Sequence, residues 1–319
     1  MMAFATRGST RSHVLLGIGL GFAALAVRPA AGADFSSGGA FLNLGHGARL
    51  HGLGTAGVAM VRDDAAVYWN PANLAWLQRQ NGVTLMHADI LDQIDDGYDS
   101  FSFGRAAGER LGETSQLLRP TRFGYGLFIS HLGFTFASGK DWSENVFQFA
   151  AAMAVNNYTS VGMGIKGLQA NNDFDSADGQ GVGLDLGLTV LVFDQLTAVI
   201  VGRDVWTRVH WDTGRWETLE PSVTAGFELR PARRWEVEAD LSLRQGSLHT
   251  AAGGVECQVY RDLFWLRAGA TFVVPGESRF YPSAGAGVRY SRLVLDYGAG
   301  FDEEDSMGIA QRVSLRVSF

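Results

Sequence analysis

Ten residues in the second half of the chain read Trp235-Glu-Val-Glu-Ala-Asp-Leu-Ser-Leu-Arg244. Apolar and polar residues alternate along this whole stretch, and a period of two residues is typical of a β-strand with one apolar and one polar face. The same alternation recurs at 184–190, at 223–230 and in the final stretch from 309 to 319. The sequence therefore predicts an all-β protein.

The connections between the alternating segments indicate which kind of β-protein this is. A soluble sandwich also alternates, but its charged face lies in water and its connections are short at both ends. Here tight and longer polar connections alternate. The tight ones are 156–157, 193–195, 230–234, 260–262 and 290–291, and the longer ones are 167–181, 203–219, 274–280 and 301–306. This asymmetry is typical of a transmembrane outer-membrane β-barrel, with long loops facing outward and short turns facing the periplasm.

The strand count is about 14 antiparallel strands, an even number as in bacterial barrels whose two ends lie in the periplasm. One reading takes 122–137 as a single long strand and counts 100–106 as a strand. An alternative reading divides the long strand at Gly133 and treats 100–106 as a loop, and it also gives about 14. The other predicted strands are 83–90, 146–155, 159–168, 182–192, 196–204, 222–230, 235–244, 250–259, 263–273, 283–290, 293–300 and 308–319.

The composition excludes several other classes of protein. The chain has 319 residues, a formal net charge of -7 and only 18% charged residues. Cys257 is the single cysteine, which excludes an intramolecular disulfide and a cysteine-based zinc site. Lys140 and Lys166 are the only lysines, so no basic stripe is present that would neutralise the phosphates of a nucleic acid.

The first 33 residues have the organisation of a signal peptide. Arg7 and Arg11 precede an apolar run over 14–27, and Ala31-Gly32-Ala33 follows as a small-residue cleavage site. The run is shorter than the roughly 20 residues that a membrane-spanning helix needs, which argues against the alternative of an uncleaved anchor. We expect export to the outer membrane of a Gram-negative bacterium, with the mature chain beginning at Asp34.

Residues 34–81 precede the predicted barrel and contain a candidate helix. Asn70 is placed to cap this helix, and Pro71 would be its first residue, where a missing N–H has no cost. Leu74 and Leu77 would share one face. Asp63 or Asp64 is placed to cap a preceding turn. The simplest interpretation is a capped helix that packs against another part of the chain.

This segment resembles the N-terminal part of the PorV/PorQ proteins, which are related to the FadL-type outer-membrane transporters of fatty acids and aromatic hydrocarbons. The resemblance covers residues 45–77 specifically and the rest of the chain diffusely, including Leu293-Val-Leu-Asp-Tyr297. The matching motif residues are Gly47, Gly52, Gly54, Gly57, Asp63, Asp64, Trp69, Asn70, Pro71 and Ala72.

The resemblance implies a hatch or plug formed by residues 34–81 inside a barrel of residues 82–319. It implies a conduit that takes up a hydrophobic small molecule past this hatch. Two other functions stay open: a PorV-like accessory barrel that serves protein secretion or surface attachment within a secretion complex, and a structural barrel without transport. Outer-membrane lipids are expected partners of any of the three.

Alternation assigns the charged residues of the strands to the interior, because a charge facing the centre of the bilayer costs about 2–4 kcal/mol. We expect both signs of charge to meet there, since buried charges need partners. The predicted lumenal charges are Glu236, Glu238, Asp240, Arg244, Arg267, Asp296, Arg312 and Arg316. Phe319 at the end of the final alternating segment resembles the signal that the barrel assembly machinery recognises.

Other motifs give no enzymatic or cofactor prediction. Gly162-Met-Gly-Ile-Lys-Gly167 fits a dinucleotide-binding pattern, but it lies within a predicted strand rather than before a helix. Asp173, Asp175 and Asp178 lack the spacing of a calcium loop. The sequence has no nucleophile elbow, and His46, His51, His87, His131, His210 and His249 have no metal-ligand spacing. We expect no catalytic activity, metal or cofactor.

Overall fold

A computed structural model describes residues 44–77, 81–89, 95–108, 122–135, 139–173, 178–274, 279–301 and 309–319. The predicted signal peptide, residues 34–43 and the predicted loop after Phe301 lie outside the described residues. Three short helical segments precede the strands: α1 (Ala48–His51), α2 (Ala66–Trp69) and the 3-10 helix η1 (Pro71–Trp76). None of the described helices is long and apolar enough to cross a membrane.

Fourteen of the described strands form one closed antiparallel ring, in which each strand pairs with its neighbours in the sequence and β1 pairs with β15. The strands are β1 (Asn81–Asp89), β2 (Asp95–Gly108), β3 (Arg122–Thr135), β4 (Asp141–Ala154), β5 (Thr159–Asn172), β6 (Gly179–Phe193), β7 (Leu196–Trp211), β8 (Trp216–Thr218), β9 (Ser222–Ala232), β10 (Trp235–Arg244), β11 (Ser247–Tyr260), β12 (Phe264–Val273), β13 (Arg279–Tyr290), β14 (Leu293–Phe301) and β15 (Ile309–Ser318). Only the short β8, which pairs with β7 alone among the described strands, lies outside the ring.

The predicted fold class and strand number are confirmed. The first reading of the strands is the correct one, because β2 is a full strand and β3 continues through Gly133. The alternative division at Gly133 is wrong. β3 pairs along its whole length with both β2 and β4, so the glycine sits within a continuous ladder.

The outer face of the ring is apolar and the inner face is polar or small. Leu241 is 47% exposed, while Asp240 beside it in the chain is buried. Exposed aromatic side chains cluster at the end of the ring where the tight turns lie, as in the aromatic girdles of outer-membrane barrels. They are Tyr158, Phe193, Trp235, Tyr260, Phe264, Tyr290 and Phe319.

Connections of two to four residues join strands at this end, which we call the short-turn end. They lie between β4 and β5, β6 and β7, β9 and β10, β11 and β12, and β13 and β14. The alternation in loop length has one exception at each end. Residues 109–121 join β2 to β3 at the short-turn end, and a two-residue turn, Gln245-Gly246, joins β10 to β11 at the opposite end.

Two of the predicted long loops are shorter in the structure. β5 continues to Asn172 and β6 begins at Gly179, so most of 167–181 is strand. β7 continues to Trp211 and returns through β8, so most of 203–219 is also strand. The prediction was wrong because these polar stretches pair with each other, Gly179 with Trp211 and Ala170 with Gly179, although they carry no apolar face.

Candidate functional site

Residues 44–77, which we call the inner segment, lie inside the ring. η1 packs against β2 to β6, and α1 packs against β13 to β15. Leu53, between the helices, is fully buried against the backbone of β11 and β12 at Gly254 and Gly269. Because the segment contacts strands on opposite sides, it crosses the interior rather than covering one wall.

Glycines on the wall allow the backbone of the inner segment to approach the strands closely. A Cβ atom at Gly124 would lie 2.1 Å from the carbonyl oxygen of Leu74, and one at Gly162 would lie 2.4 Å from the backbone nitrogen of Ala72. On the opposite side, a Cβ at Gly269 would lie 2.1 Å from the carbonyl carbon of Leu53. Any larger residue at these positions would displace the segment.

The glycines of the sequence motif, which belong to the inner segment itself, also allow close approach of backbone atoms. A Cβ at Gly54 would lie 2.5 Å from the backbone nitrogen of Ala270, and one at Gly52 would lie 2.9 Å from the Cα of Gly285. Gly57 allows Leu50 to pack against its Cα, since an added Cβ would lie 2.3 Å from a Leu50 methyl group. Gly47 has a φ of +89°, a conformation that other residues adopt only with strain.

The Asn70-Pro71-Ala72 motif fixes the start of η1 and joins it to the wall. The Asn70 side-chain oxygen accepts a hydrogen bond from the Ala72 N–H at 3.1 Å, as a helix-capping residue does. Its amide donates to the Val58 carbonyl at 3.1 Å and to the Thr189 hydroxyl at 3.0 Å on β6. Asn73 also binds Thr189, whose hydroxyl donates to its side-chain oxygen at 2.7 Å.

The predicted short helix is present, with Pro71 as its first residue and Asn70 as its cap. It is a six-residue 3-10 helix that begins at Pro71. Every residue of η1 is buried, including Leu74, and so is Leu77 directly after it. Wall strands surround the helix, and Trp76 donates its indole N–H to Ser160 on β5 at 2.7 Å.

Asp63 and Asp64 have different environments. Asp63 caps the turn before α2 by accepting a hydrogen bond from the Ala65 N–H at 3.1 Å, and it also forms an ion pair with Arg316 on β15. Asp64 is completely buried and accepts a hydrogen bond from Ser102 on β2. Of the two candidate caps, the structure therefore places Asp63 at the turn.

Trp69 belongs to an aromatic cluster in the interior. Its indole N–H donates to the His46 carbonyl at 2.7 Å, and the Arg203 guanidinium lies 5.0 Å from its ring and 4.9 Å from that of Tyr68. The two ring nitrogens of His46 lie 2.8 Å from the hydroxyls of Ser100 and Ser102. Burial, reinforced by the Arg312 charge, lowers the pKa of His46 to about 3, so the imidazole is neutral.

Two predicted lumenal acids, Glu238 and Asp240 on β10, bind the backbone of the inner segment. Asp240 accepts hydrogen bonds from the N–H groups of Gly57 at 2.8 Å and Val58 at 3.2 Å. Glu238 accepts one from the Ala59 N–H at 2.8 Å. We expected these acids to meet basic side chains, and the structure instead gives them backbone donors of the turn at 57–59.

The other side of the interior carries an ion-pair network. Arg49 of the inner segment lies 3.1 Å from Glu236 and 2.9 Å from Glu256. Arg267 on β12 joins Glu256 at 2.5 Å to Asp296 on β14 at 2.8 Å. Four of the predicted lumenal charges thus face inward and are paired: Glu236, Arg267, Asp296 and Arg316. Their partners include Arg49 and Glu256, which the sequence pattern does not predict.

Arg312 and Arg244 differ from this pattern. Arg312 on β15 is buried beside Tyr68 and Tyr98, and no carboxylate of the described residues lies within 4.0 Å of it. Arg244 is half-buried near the opposite end of the ring from the short turns. Among the described residues, Arg312 therefore lies outside the ion-pair network.

An ion-pair cluster that the sequence pattern does not predict lies within the wall. The Lys166 ammonium lies 2.9 Å from Asp185 and 2.6 Å from Asp204. Asp204 has a φ of +51° in an irregularity where Asp185 opposes the extra residues 203–205 of β7. Lys166 belongs to the glycine-rich pattern 162–167, which lies within a strand, β5, as the sequence predicts.

A polar cavity of about 610 Å³ lies between the inner segment and the short-turn end. Arg49, Asp63, Glu236, Glu256 and Arg267 contribute to its lining. Among the described residues, no group of three or more His, Cys, Asp or Glu side chains is arranged to hold a metal ion. Charged side chains of both signs thus face the cavity at this end.

No protein-family model matches the chain, and a search of curated proteins finds no match. Solved structures do resemble it. The CymD monoaromatic hydrocarbon channel has a TM-score of 0.65 at 15% identity, over 86% of this chain and 98% of that one. The Ralstonia pickettii toluene transporter TbuX has a TM-score of 0.62 at 14% identity, over 86% and 98%. A Pseudomonas aeruginosa FadL homologue has a TM-score of 0.59 at 13% identity, over 85% and 97%. The chain thus has the fold of the FadL-type outer-membrane barrels.

Proposed function

We propose that this protein is a FadL-like outer-membrane conduit through which a Gram-negative bacterium takes up small hydrophobic molecules. The observation that carries the proposal is the position of the inner segment, which crosses the interior of the ring and is bound to wall strands on both sides. In this proposal the segment 34–81 acts as the hatch of a barrel formed by 82–319. The similar folds of a monoaromatic hydrocarbon channel and a toluene transporter support this interpretation.

The distribution of charge favours one direction for the exit of an apolar cargo. The cavity at the short-turn end is lined by arginine and carboxylate side chains, which an apolar molecule would have to desolvate without compensation. The outer face of the wall is apolar around the ring. We propose that the cargo enters at the opposite end and leaves through the wall into the lipid.

Uptake of labelled toluene and labelled palmitate by cells with and without the protein tests this function and distinguishes the two classes of cargo. We expect faster uptake of at least one of them at substrate concentrations that limit diffusion through the outer membrane. Equal rates in both strains for both molecules, with the barrel present in the outer membrane, would exclude the conduit.

A PorV-like accessory role in secretion is the second candidate, and one observation favours it. β7 and β8 carry Trp206 and Trp216 with exposed fractions of 53% and 65%, near the end of the ring opposite the short turns. Trp216 lies on β8, which is outside the ring, and aromatic side chains are enriched at protein-binding surfaces. Crosslinking in cells followed by purification would recover a large secretion complex under this hypothesis.

The C-terminal residue, Phe319, is the feature that we propose directs assembly of the barrel into the membrane. The backbone N–H and carbonyl of Phe319 both pair with Asn81 at 3.0 Å, beside the junction of β15 with β1. We propose that the barrel assembly machinery recognises the exposed Phe319 ring before this junction closes. Phe319→Ala should then lower the amount of assembled barrel without changing its heat-modifiable gel mobility.

A further inference from the structure

We propose that the cavity at the short-turn end binds an acidic, extended peptide segment of a partner protein. Eight arginines and five acidic residues contribute to its lining, in a chain whose overall net charge is -7. The positive excess is therefore concentrated at this end.

The arginines form a deep group and a rim group. The deep group, Arg49, Arg62, Arg267 and Arg316, is neutralised by ion pairs with carboxylates of the wall and inner segment. The rim group, Arg233, Arg234, Arg289 and Arg292, lies at the mouth. Among the described residues, no carboxylate lies within 4.0 Å of any rim arginine. A ligand approaching the mouth therefore meets guanidinium groups that are still available to bind carboxylates.

One rim arginine is already held in position. The Arg289 guanidinium lies 4.9 Å from the centre of the Trp265 ring, which also lines the cavity. A guanidinium stacked on an indole keeps its N–H groups free at its edge, where they can bind a carboxylate in bidentate fashion. Less side-chain entropy is then lost when a ligand binds.

The spacing of the rim arginines fits an extended anion. Arg234 precedes β10, while Arg289 lies at the end of β13. Three strand spacings of about 4.8 Å place these positions about 14 Å apart along the wall. Four residues of an extended peptide span about 13 Å, so one extended segment is long enough to reach both positions. The cavity volume of about 610 Å³ also exceeds what a small inorganic anion fills.

Fluorescence anisotropy with a labelled hexaglutamate peptide and the purified full-length protein in neutral detergent tests the proposal without any transport step. We expect saturable binding that weakens when NaCl is raised from about 0.05 M to 0.5 M, because exposed charges are screened. A hexalysine peptide of the same length should not bind.

A variant in which Arg233, Arg234, Arg289 and Arg292 are all replaced by Gln should bind hexaglutamate about tenfold more weakly, as the loss of several weak exposed ion pairs predicts. Arg261→Gln is the matched control, because Arg261 lies in the neighbouring turn against Tyr260 and does not line the cavity. It should bind like the wild type.

Three results would overturn the proposal. The first is a lack of hexaglutamate binding to the wild type, and the second is an equal loss in the Arg261→Gln control. The third is full displacement of the peptide by low-millimolar inorganic phosphate, which would identify a small-anion site instead. None of these results depends on toluene or palmitate uptake, so failure here leaves the proposed conduit standing, and failure of the conduit leaves this site standing.

Discussion

The two halves of the wall hold the same inner segment by different means. On β3 to β6, glycines receive the backbone of η1, and neutral groups such as Ser160 and Thr189 supply most of the hydrogen bonds. On β10 to β15, glycines also face the segment, but carboxylates and arginines make most of the polar contacts. One half recognises the segment by shape and the other by charge.

The inner segment can therefore fill the interior of the ring while the two sides differ in how easily water enters between the segment and the wall. The neutral, closely packed contact between η1 and the wall glycines can separate only if backbone atoms move. A charged contact can exchange its protein partner for water or for another ion at a smaller change in geometry. We therefore expect the β10 to β15 side to be the one at which water and ions reach the segment.

Removing the inner segment should have the largest effect of the four changes, because both halves of the wall then lose their contacts with it. A deletion of residues 44–77 should give a much larger single-channel conductance in planar bilayers than the wild type, while the ring still assembles from its own backbone hydrogen bonds. Heat-modifiable gel mobility is the control for assembly. Low conductance in both proteins would show that the segment does not block the interior.

On the charged half, Glu256→Gln should be the most damaging single substitution. It removes the carboxylate shared by Arg49 and Arg267 and leaves both cations buried, a change that typically costs about 3–5 kcal/mol. The free energy of unfolding in urea with lipid vesicles measures it. Glu236→Gln is the matched control, because the Glu236 side chain is 29% exposed and contacts only Arg49 among the described cations. Equal losses would contradict a network centred on Glu256.

On the neutral half, Gly162→Val should displace η1, because its Cβ would lie 2.4 Å from the Ala72 nitrogen. Overpacking of this kind costs about 1–3 kcal/mol. Faster protease cleavage within residues 44–77 would report the displacement. Gly167→Val on the same strand is the control, since its Cβ would meet only the Phe147 carbonyl oxygen, at 3.9 Å. If both variants resist protease like the wild type, the close fit is not needed.

Asn70→Ala should have the smallest effect of the four. It removes the cap of η1 and two further hydrogen bonds, for a loss of about 1–2 kcal/mol. That is enough to loosen the segment and too little to unfold the barrel, so we expect more frequent brief openings in bilayer recordings with unchanged heat-modifiable mobility. A conductance trace identical to that of the wild type would show that Asn70 does not hold the segment in place.

The strands and the interior differ in how far the sequence predicts them. β9, β10 and β15 follow directly from alternation, because lipid on one side and a polar interior on the other select residues two apart. The ends of β5 to β7 extend beyond the apolar band, where pairing continues without an apolar face, and so the sequence pattern ends too early. The Arg49 to Glu256 pair joins residues 207 positions apart and depends on where the inner segment lies, which no local pattern contains.

The ion pair between Asp63 and Arg316 also bears on the order of folding. The two residues are 253 positions apart, and Asp63 belongs to a segment that β15, the strand of Arg316, encloses. This ion pair cannot form until β15, the last strand of the ring, is in place, and the pairing of β15 with β1 is what closes the ring. Closure of β15 onto β1 is therefore the committing step in assembly. Contacts of such long sequence separation make this step slow.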